Sequence, residues 1–231
     1  MKYAIVTGGT SGIGLGVAKM LASRGFYVFV TYSKHNLNEQ LNNIETIKAD
    51  QSNRLEVYNF INYIKNRVDT INCIVCNAGL SIRKPFIETT DEDWDNQMDV
   101  AITSHVIIIR ELFQMISNDS RIIFTGSVLG SFPHATVLSY GVTKTAVNAL
   151  AKNLVKEFEG TGTTVNVVAP GFVETPWQKE KSVVIKQNIY KKTAIRRFAT
   201  IDEIVGAYIF CIDNPFVNGS VIDVNGGYCY K

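Results

Sequence analysis

Short apolar runs alternate with longer stretches of helical period along the whole chain. Tyr3–Thr7, Tyr27–Tyr32, Ile44–Ala49, Ile71–Cys76, Arg121–Thr125, Thr164–Val168 and Ser220–Val224 each read as a strand, rich in β-branched and aromatic residues. Between them the spacing predicts helices over Ile13–Ser23, Leu55–Arg67, Asp91–Ile116 and Ser139–Phe158, with helical segments at Glu180–Tyr190 and Asp202–Cys211. Arg24-Gly25 closes the first helix, since a glycine just past the last turn takes the backbone out of the helix. About seven strands alternating with helices describe an α/β unit, a doubly wound parallel sheet covered on both faces. No linker, repeat or composition break divides residues 1–231, so a single domain is expected.

Composition narrows the class. Hydrophobic residues are 46% and charged residues 19% of the chain, which excludes a disordered or low-complexity protein. The 23 Lys and Arg against 21 Asp and Glu give a net charge of +2, a balance that does not suggest a nucleic-acid binder, which usually carries a concentrated basic face. The run Val106–Ile109 is bracketed by His105 and Arg110, far short of a membrane span. Met1-Lys2 runs straight into a strand with no leader, and the expectation is a cytoplasmic protein whose four cysteines stay reduced. Cys73 and Cys76 have C-x-x-C spacing, but strand alternation sends them to opposite faces, which favours core cysteines over a redox pair. His35, His105 and His134 lack metal-ligand spacing, so no metal site is expected.

Candidate chemistry begins in the first βα turn, Thr7-Gly8-Gly9-Thr10-Ser11-Gly12-Ile13-Gly14. Gly8, Gly12 and Gly14 follow a strand and open a helix, where a pyrophosphate needs close backbone approach and free N–H groups. That placement reads as the dinucleotide site of a Rossmann-like sheet; no Lys-Ser/Thr pair follows the last glycine, so a P-loop is disfavoured. Cys76-Asn77-Ala78-Gly79 lies at the end of the fourth strand, where open α/β sheets bind ligands. Gly126-Ser127 follows the fifth strand, and Tyr140 and Lys144 share one face of the next helix. A phenol with a pKa near 10 is a poor acid or base at neutral pH, and a nearby ammonium lowers it toward working range. A serine hydroxyl can then hold a substrate oxygen while hydride moves to or from carbon. Ala169-Pro170-Gly171-Phe172-Val173-Glu174-Thr175 ends the sixth strand at the same edge.

Together these residues resemble the short-chain dehydrogenase/reductase family in its compact single-domain branch. The resemblance spans Thr7 to Gly227 and is most similar to the 3-oxoacyl-carrier-protein reductase type around Val165–Gly171. It implies that Tyr140 is the acid/base, Ser127 orients the carbonyl, and Lys144 lowers the Tyr140 pKa and bonds the nicotinamide ribose. It implies that Gly8, Thr10, Ser11, Gly12, Ile13 and Gly14 surround the pyrophosphate and adenosine, with Thr31, Tyr32, Asp50 and Gln51 on the adenosine side. Asn77, Ala78 and Gly79 would shape the ribose side, with Pro170, Gly171, Val173 and Thr175 at the carboxamide. The substrate would be a small carbonyl or alcohol, and the chain would form a homo-oligomer, dimer or tetramer, through its two long helices. The second of these, with Val142, Ala146, Val147, Leu150 and Leu154, carries more apolar surface than one sheet face needs.

Several departures matter. The resemblance places an Asn of the proton relay at position 101, where this chain has Ala101. An active oxidoreductase and a cofactor-binding regulatory or scaffold protein with weakened or lost catalysis are therefore both carried forward. The second strand ends Thr31-Tyr32-Ser33-Lys34-His35, with no acid before Glu39. A carboxylate there would repel a 2′-phosphate, so its absence, with Lys34 nearby, favours NADP(H) over NAD(H). Segment Ser33–Glu45 lacks a full helix and Ile116–Arg121 is trimmed. The resemblance implies a carrier-docking basic residue near the latter, where Ser117-Asn118-Asp119-Ser120 stands, although Lys156 keeps a basic residue on the following helix. That puts acyl-carrier substrates in question. Trp177 and Gln178–Tyr190 read as a flap over the substrate cleft.

Overall fold

The computed structural model of the protein describes residues 1–178 and 181–228. Strands β1 (Lys2–Val6), β2 (Phe26–Tyr32), β3 (Ile44–Lys48), β4 (Ile71–Cys76), β5 (Ile116–Thr125), β6 (Thr164–Pro170) and β7 (Val221–Val224) make one parallel sheet. Their order is β3-β2-β1-β4-β5-β6-β7. Helices α1 (Gly12–Ser23), α2 (Arg54–Lys65), α3 (Asp91–Met98), α4 (Ser104–Glu111), α5 (Leu138–Glu157), α6 (Val183–Tyr190) and α7 (Ile201–Asp213) cover it.

Pleat alternation divides the apolar residues between two cores. Ile5, Phe29, Ile74, Cys76, Ile122, Phe124, Val165 and Val167 face α2, α4 and α5, where Phe60, Ile64, Ile108 and Val147 meet them. Ala4, Val6, Val28, Val30, Cys73, Val75, Ile123 and Val168 face α1 and α7, against Val17, Leu21, Ile204 and Tyr208. Cys73 and Cys76 thus lie on opposite faces, as alternation requires. Burial raises both thiols, Cys73 to about 12, so neither is a thiolate near neutral pH. Cys211 is also buried, and Cys229 lies outside the described residues.

Asn53 caps α2 through the Leu55 and Glu56 N–H groups, and capping boxes start α3 at Thr90 and α7 at Thr200. The helix expected over 91–116 is interrupted by a π-helical turn, Asp99–Thr103, between α3 and α4. β5 also starts five residues earlier than the apolar pattern indicates. Its first residues are held by polar groups: Ser120 Oγ donates to the Ile71 carbonyl at 3.1 Å and Asn72 Nδ2 to Ser117 Oγ at 2.9 Å. Side-chain hydrogen bonds carry that stretch, so hydrophobic periodicity does not reveal it. Lys179 and Glu180, part of the expected 180–190 segment, lie outside the described residues; α6 itself starts at Val183, capped by Ser182. Residues 33–43 form no helix, as expected, and Leu37 and Leu41 pack on the α1 side.

Chain order reverses direction between β1 and β4, which places a crevice beyond their carboxyl ends. Among the described residues no helix is long and apolar enough to cross a membrane. Phe60→Ala, which empties a fully packed position in α2, should cost about 3–5 kcal/mol of stability in urea unfolding. Leu55→Ala, one turn earlier and 69% exposed, should change it by no more than about 0.5 kcal/mol.

Candidate active site

The β1–α1 turn is shaped for an anion. Gly12 has φ +54°, a left-handed conformation that side chains disfavour. A Cβ on Gly14 would lie 2.3 Å from the Gly8 carbonyl oxygen, so only glycine lets α1 start this close to the turn. Ser11, the N-cap residue, makes no side-chain capping bond, which leaves the first N–H groups of α1 open to a phosphate. Thr175 packs against Gly12, while Thr10 Oγ1 donates to the His35 carbonyl at 2.9 Å and draws the Ser33–His35 segment to the turn. Ile13 flanks this turn half-buried.

The other cofactor candidates divide by role. Thr31 is fully buried, and its hydroxyl accepts from the Gly8 N–H at 3.1 Å, so it supports the turn from behind. Tyr32, next to it, is half-buried at the end of β2. Asp50 Oδ1 accepts from the Ser52 N–H and hydroxyl at 2.9 and 2.7 Å. Gln51 donates to the Ala49 carbonyl at 3.2 Å, while its Oε1 is buried without a partner among the described residues and remains available to a ligand donor. Asn77 Nδ2 donates to the Thr7 and Gly8 carbonyls at 3.1 and 3.2 Å, which joins β4 to the turn. Ala78 and Gly79 continue that edge, and a Cβ on Gly79 would come within 3.8 Å of both Lys144 Nζ and Trp177. After β6, Gly171 N–H donates to the Val224 carbonyl at 2.9 Å, which holds Pro170-Gly171 at the sheet edge. Ala199 N–H donates to Phe172 and Glu174 N–H to Ala199, both at 2.9 Å, and the buried Val173's own N–H and C=O have no backbone partner among the described residues. An adjacent donor and acceptor are what a carboxamide requires. The residues present therefore fit a nicotinamide dinucleotide.

Ser127, Tyr140 and Lys144 come together at the end of β5. The 3-10 turn Val128–Gly130 rests on α5: a Cβ on Gly130 would meet the Lys144 backbone at 2.9 Å, and Thr145 Oγ1 donates to the Gly130 carbonyl at 2.8 Å. Ser127 Oγ accepts from the Leu129 N–H at 3.1 Å, which leaves its own proton to be donated toward the Tyr140 oxygen. Lys144 is 3% exposed; its Nζ donates to the Thr125 carbonyl at 2.6 Å and lies 5.5 Å from the Tyr140 ring centre. Burial brings the Lys144 pKa down to about 8. At Tyr140 burial is the largest influence and holds the phenol above its ordinary value, while the Ser127 hydroxyl and then the Arg83 charge pull it down. The resting phenol is therefore protonated.

Ala101 sits in the π turn with no polar side chain, and one helical turn on stands His105, 1% exposed. Its Nδ1 faces the Ala101 carbonyl at 3.0 Å and its Nε2 the Thr7 hydroxyl at 3.4 Å. Burial and, second, the Lys144 charge push its pKa down to about 3, against the opposing bond to Ala101. His105, Thr125 and Arg83 lie at the site without having been singled out by sequence reasoning, which quoted Thr7 only as the start of the Gly-rich turn. The spacing of Ala101 and His105 by one helical turn was the available signal for His105; the others carried none beyond standing next to motif residues. His134, between Ser127 and Tyr140, is half-buried, with Nδ1 2.8 Å from the Ala135 carbonyl.

A doubly wound sheet whose carboxyl edge joins a dinucleotide turn to Ser127, Tyr140 and Lys144 defines an oxidoreductase class. The short chain dehydrogenase family model matches residues 2–184, and the chain belongs to that family. It is 31% identical over 239 residues to the 3-oxoacyl-(acyl-carrier-protein) reductase FabG of Aquifex aeolicus, covering 98% of this chain and 96% of that protein. It is also 31% identical over 246 residues to the 2-dehydro-3-deoxy-D-gluconate 5-dehydrogenase of Pseudoalteromonas atlantica, covering 98% and 95%. Two solved structures share the fold. One is a short chain dehydrogenase from Burkholderia cenocepacia in complex with NADP, with TM-score 0.88, 24% identity and coverage of 98% and 97%. The other is 4-hydroxyisoleucine dehydrogenase complexed with NADH, with TM-score 0.93, 21% identity and full coverage of both chains. The protein is an NAD(P)-dependent oxidoreductase of the carbonyl–alcohol type.

A pH prediction follows from His105. Its folded pKa lies well below its ordinary value, so unfolding takes up a proton between about pH 6.5 and 3. Its contribution to stability is complete above that window and is lost as pH falls through it. Relative to His105→Asn, the parent chain should lose up to about 1.4 kcal/mol per pH unit within the window, measured by urea unfolding at stepped pH.

Proposed function

We propose that this chain is a single-domain, cytoplasmic carbonyl reductase that prefers NADPH, with Tyr140 as proton donor, Ser127 holding the substrate oxygen and Lys144 stabilising the phenolate. The observation that carries this reading is the buried Lys144 ammonium, pinned by the Thr125 carbonyl beneath the Tyr140 ring. When bound, the nicotinamide supplies the hydride that adds to the carbonyl carbon. The chain's own groups handle the oxygen and the proton. Ser127 turns its O–H to the carbonyl oxygen, and the protonated Tyr140 transfers its proton to that oxygen as negative charge develops. Lys144 lowers the cost of the phenolate left behind, through an interaction strengthened by its low-dielectric surroundings.

NADPH preference rests on the adenosine side. Thr10 ties the Ser33–His35 segment to the Gly-rich turn, Lys34 is exposed there, and no carboxylate precedes Glu39. The substrate reading is a small ketone or 3-oxoacyl group. The relatives' names diverge between an acyl carrier and a sugar acid, and the flap residues Trp177, Val183, Val184 and Ile185 are exposed and apolar. Leu138 and Val142 are exposed on α5, whereas Val147 and Ala151 pack on the sheet, which supports a homo-oligomer formed through this helix as a dimer or tetramer. Ala101 favours a second reading, cofactor binding with weakened chemistry. Turnover across a panel of ketones, sugars and acyl thioesters would exclude it, and NADPH binding without turnover would establish it.

Tyr140→Phe should lower kcat by at least about a thousandfold while the NADPH dissociation constant stays within about threefold. Parental rates in steady-state assays would reject Tyr140 as the donor. Fluorescence titration should show tighter NADPH than NADH binding, and Lys34→Glu should weaken NADPH about tenfold or more with little change for NADH. Tighter NADH binding by the parent chain would overturn the preference.

A further inference from the structure

His105 belongs to no group assigned above, yet both its ring nitrogens are committed. The Ala101 carbonyl can only accept, so Nδ1 carries the proton and Nε2 is the acceptor. Thr7 Oγ1 accepts from the Asn77 and Ala78 N–H groups at 2.9 Å each. Its own proton is then directed to His105 Nε2, the other group within reach among the described residues. Acceptor-only and donor-only ends therefore determine the direction of every bond in this chain. A charged imidazole would break the Thr7 bond and place a second cation near Lys144.

The elements at the two ends give the ring its consequence. Ala101 lies in the π turn, which packs against α5, the helix of Tyr140 and Lys144. Thr7 ends β1 and opens the dinucleotide turn. From there Asn77 Nδ2 donates to the Thr7 and Gly8 carbonyls, Thr125 Oγ1 donates to Asn77 Oδ1 at 3.1 Å, and the Thr125 carbonyl receives Lys144 Nζ. Tyr208 of α7 completes the set at 2.6 Å from Thr125 Oγ1. His105 thus connects the support of the catalytic helix to the cofactor turn, and the same junction returns to Lys144 through Asn77 and Thr125. The polar group that residue 101 lacks comes from one helical turn further on.

We propose that His105 is a positioning residue for Tyr140 and Lys144: its neutral, Nδ1-protonated imidazole braces the Ala101 carbonyl of the π turn against the Thr7–Asn77 junction. The bland alternative is a core filler stacked edge-to-face on Phe124 at 6.1 Å, which a hydrocarbon of similar volume could replace. The proposal rests on the reading of Tyr140 and Lys144 as the working groups.

Three full-length variants separate brace from filler. His105→Leu keeps volume and loses both bonds; it should lower kcat at least about tenfold, with KM for NADPH within about threefold. His105→Asn keeps an N–H near the position of Nδ1 and should recover most of that loss. The limb of the pH–rate profile that reports the Tyr140–Lys144 pair should move by about half a unit or more in His105→Leu. It should stay in place in Ile108→Val, a merely destabilising change on the same helix. Parental kcat in the Leu variant, an Asn variant no better than Leu, or an unmoved limb would overturn the proposal.

If the Leu variant fails to fold, NMR of the 15N-histidine-labelled parent decides. A neutral Nδ1–H tautomer that does not titrate between about pH 5.5 and 8.5 is expected. The Nε2–H tautomer, or protonation in that range, would overturn the brace. A parent chain without turnover would defeat the functional reading and the catalytic part of the proposal, while the tautomer would still report the brace separately.

Discussion

A buried ammonium with no carboxylate beside it is the constraint around which this structure is organised. Lys144 donates to one backbone carbonyl, that of Thr125, and makes no ion pair among the described residues. A charge taken out of water and only partly compensated is costly, and the fall of its pKa to about 8 is the sign of that cost. In the proposed reaction the missing counter-charge appears when Tyr140 gives up its proton. The ammonium is then better stabilised in the transition state than in the resting site, which is the condition for catalysis by differential binding.

Holding that charge in place requires close packing of backbone. The tight approaches at Gly14 and Gly130 bring the Gly-rich turn against the end of β4 and the turn after β5 against α5. Parallel strands make this geometry available, because all their carboxyl ends lie on one edge and the reversal between β1 and β4 opens the crevice there. The two cores, one on each face, fix the sheet that carries these ends.

Much of this was legible from local pattern. The seven strands, the glycines of the first turn, the placement of Cys73 and Cys76 on opposite faces and the i, i+4 relation of Tyr140 and Lys144 all follow from periods of two and 3.6. Where side chains replace periodicity, the pattern gave out. Ser117, Ser120 and Asn72 extend β5 through hydrogen bonds, and the π turn at Asp99–Thr103 interrupts a helix whose residues read as continuous. Thr31 and Asp50 stand at the expected strand ends, but their hydroxyl and Oδ1 are engaged by Gly8 and Ser52, which only the folded neighbourhood reveals.

The sequence by itself determined the architecture, the Gly-rich turn and the residue types that suit carbonyl chemistry, because each depends on spacing within a few residues of chain. The tertiary structure decided which groups support them. His105 meets Thr7 across 98 positions and Thr125 meets Tyr208 across 83, and no local period relates such pairs. It also decided electrostatic state. Burial makes Lys144 a poorly compensated cation, raises the Tyr140 phenol above its ordinary value and keeps His105 a neutral ring, since desolvation is a property of the assembled fold.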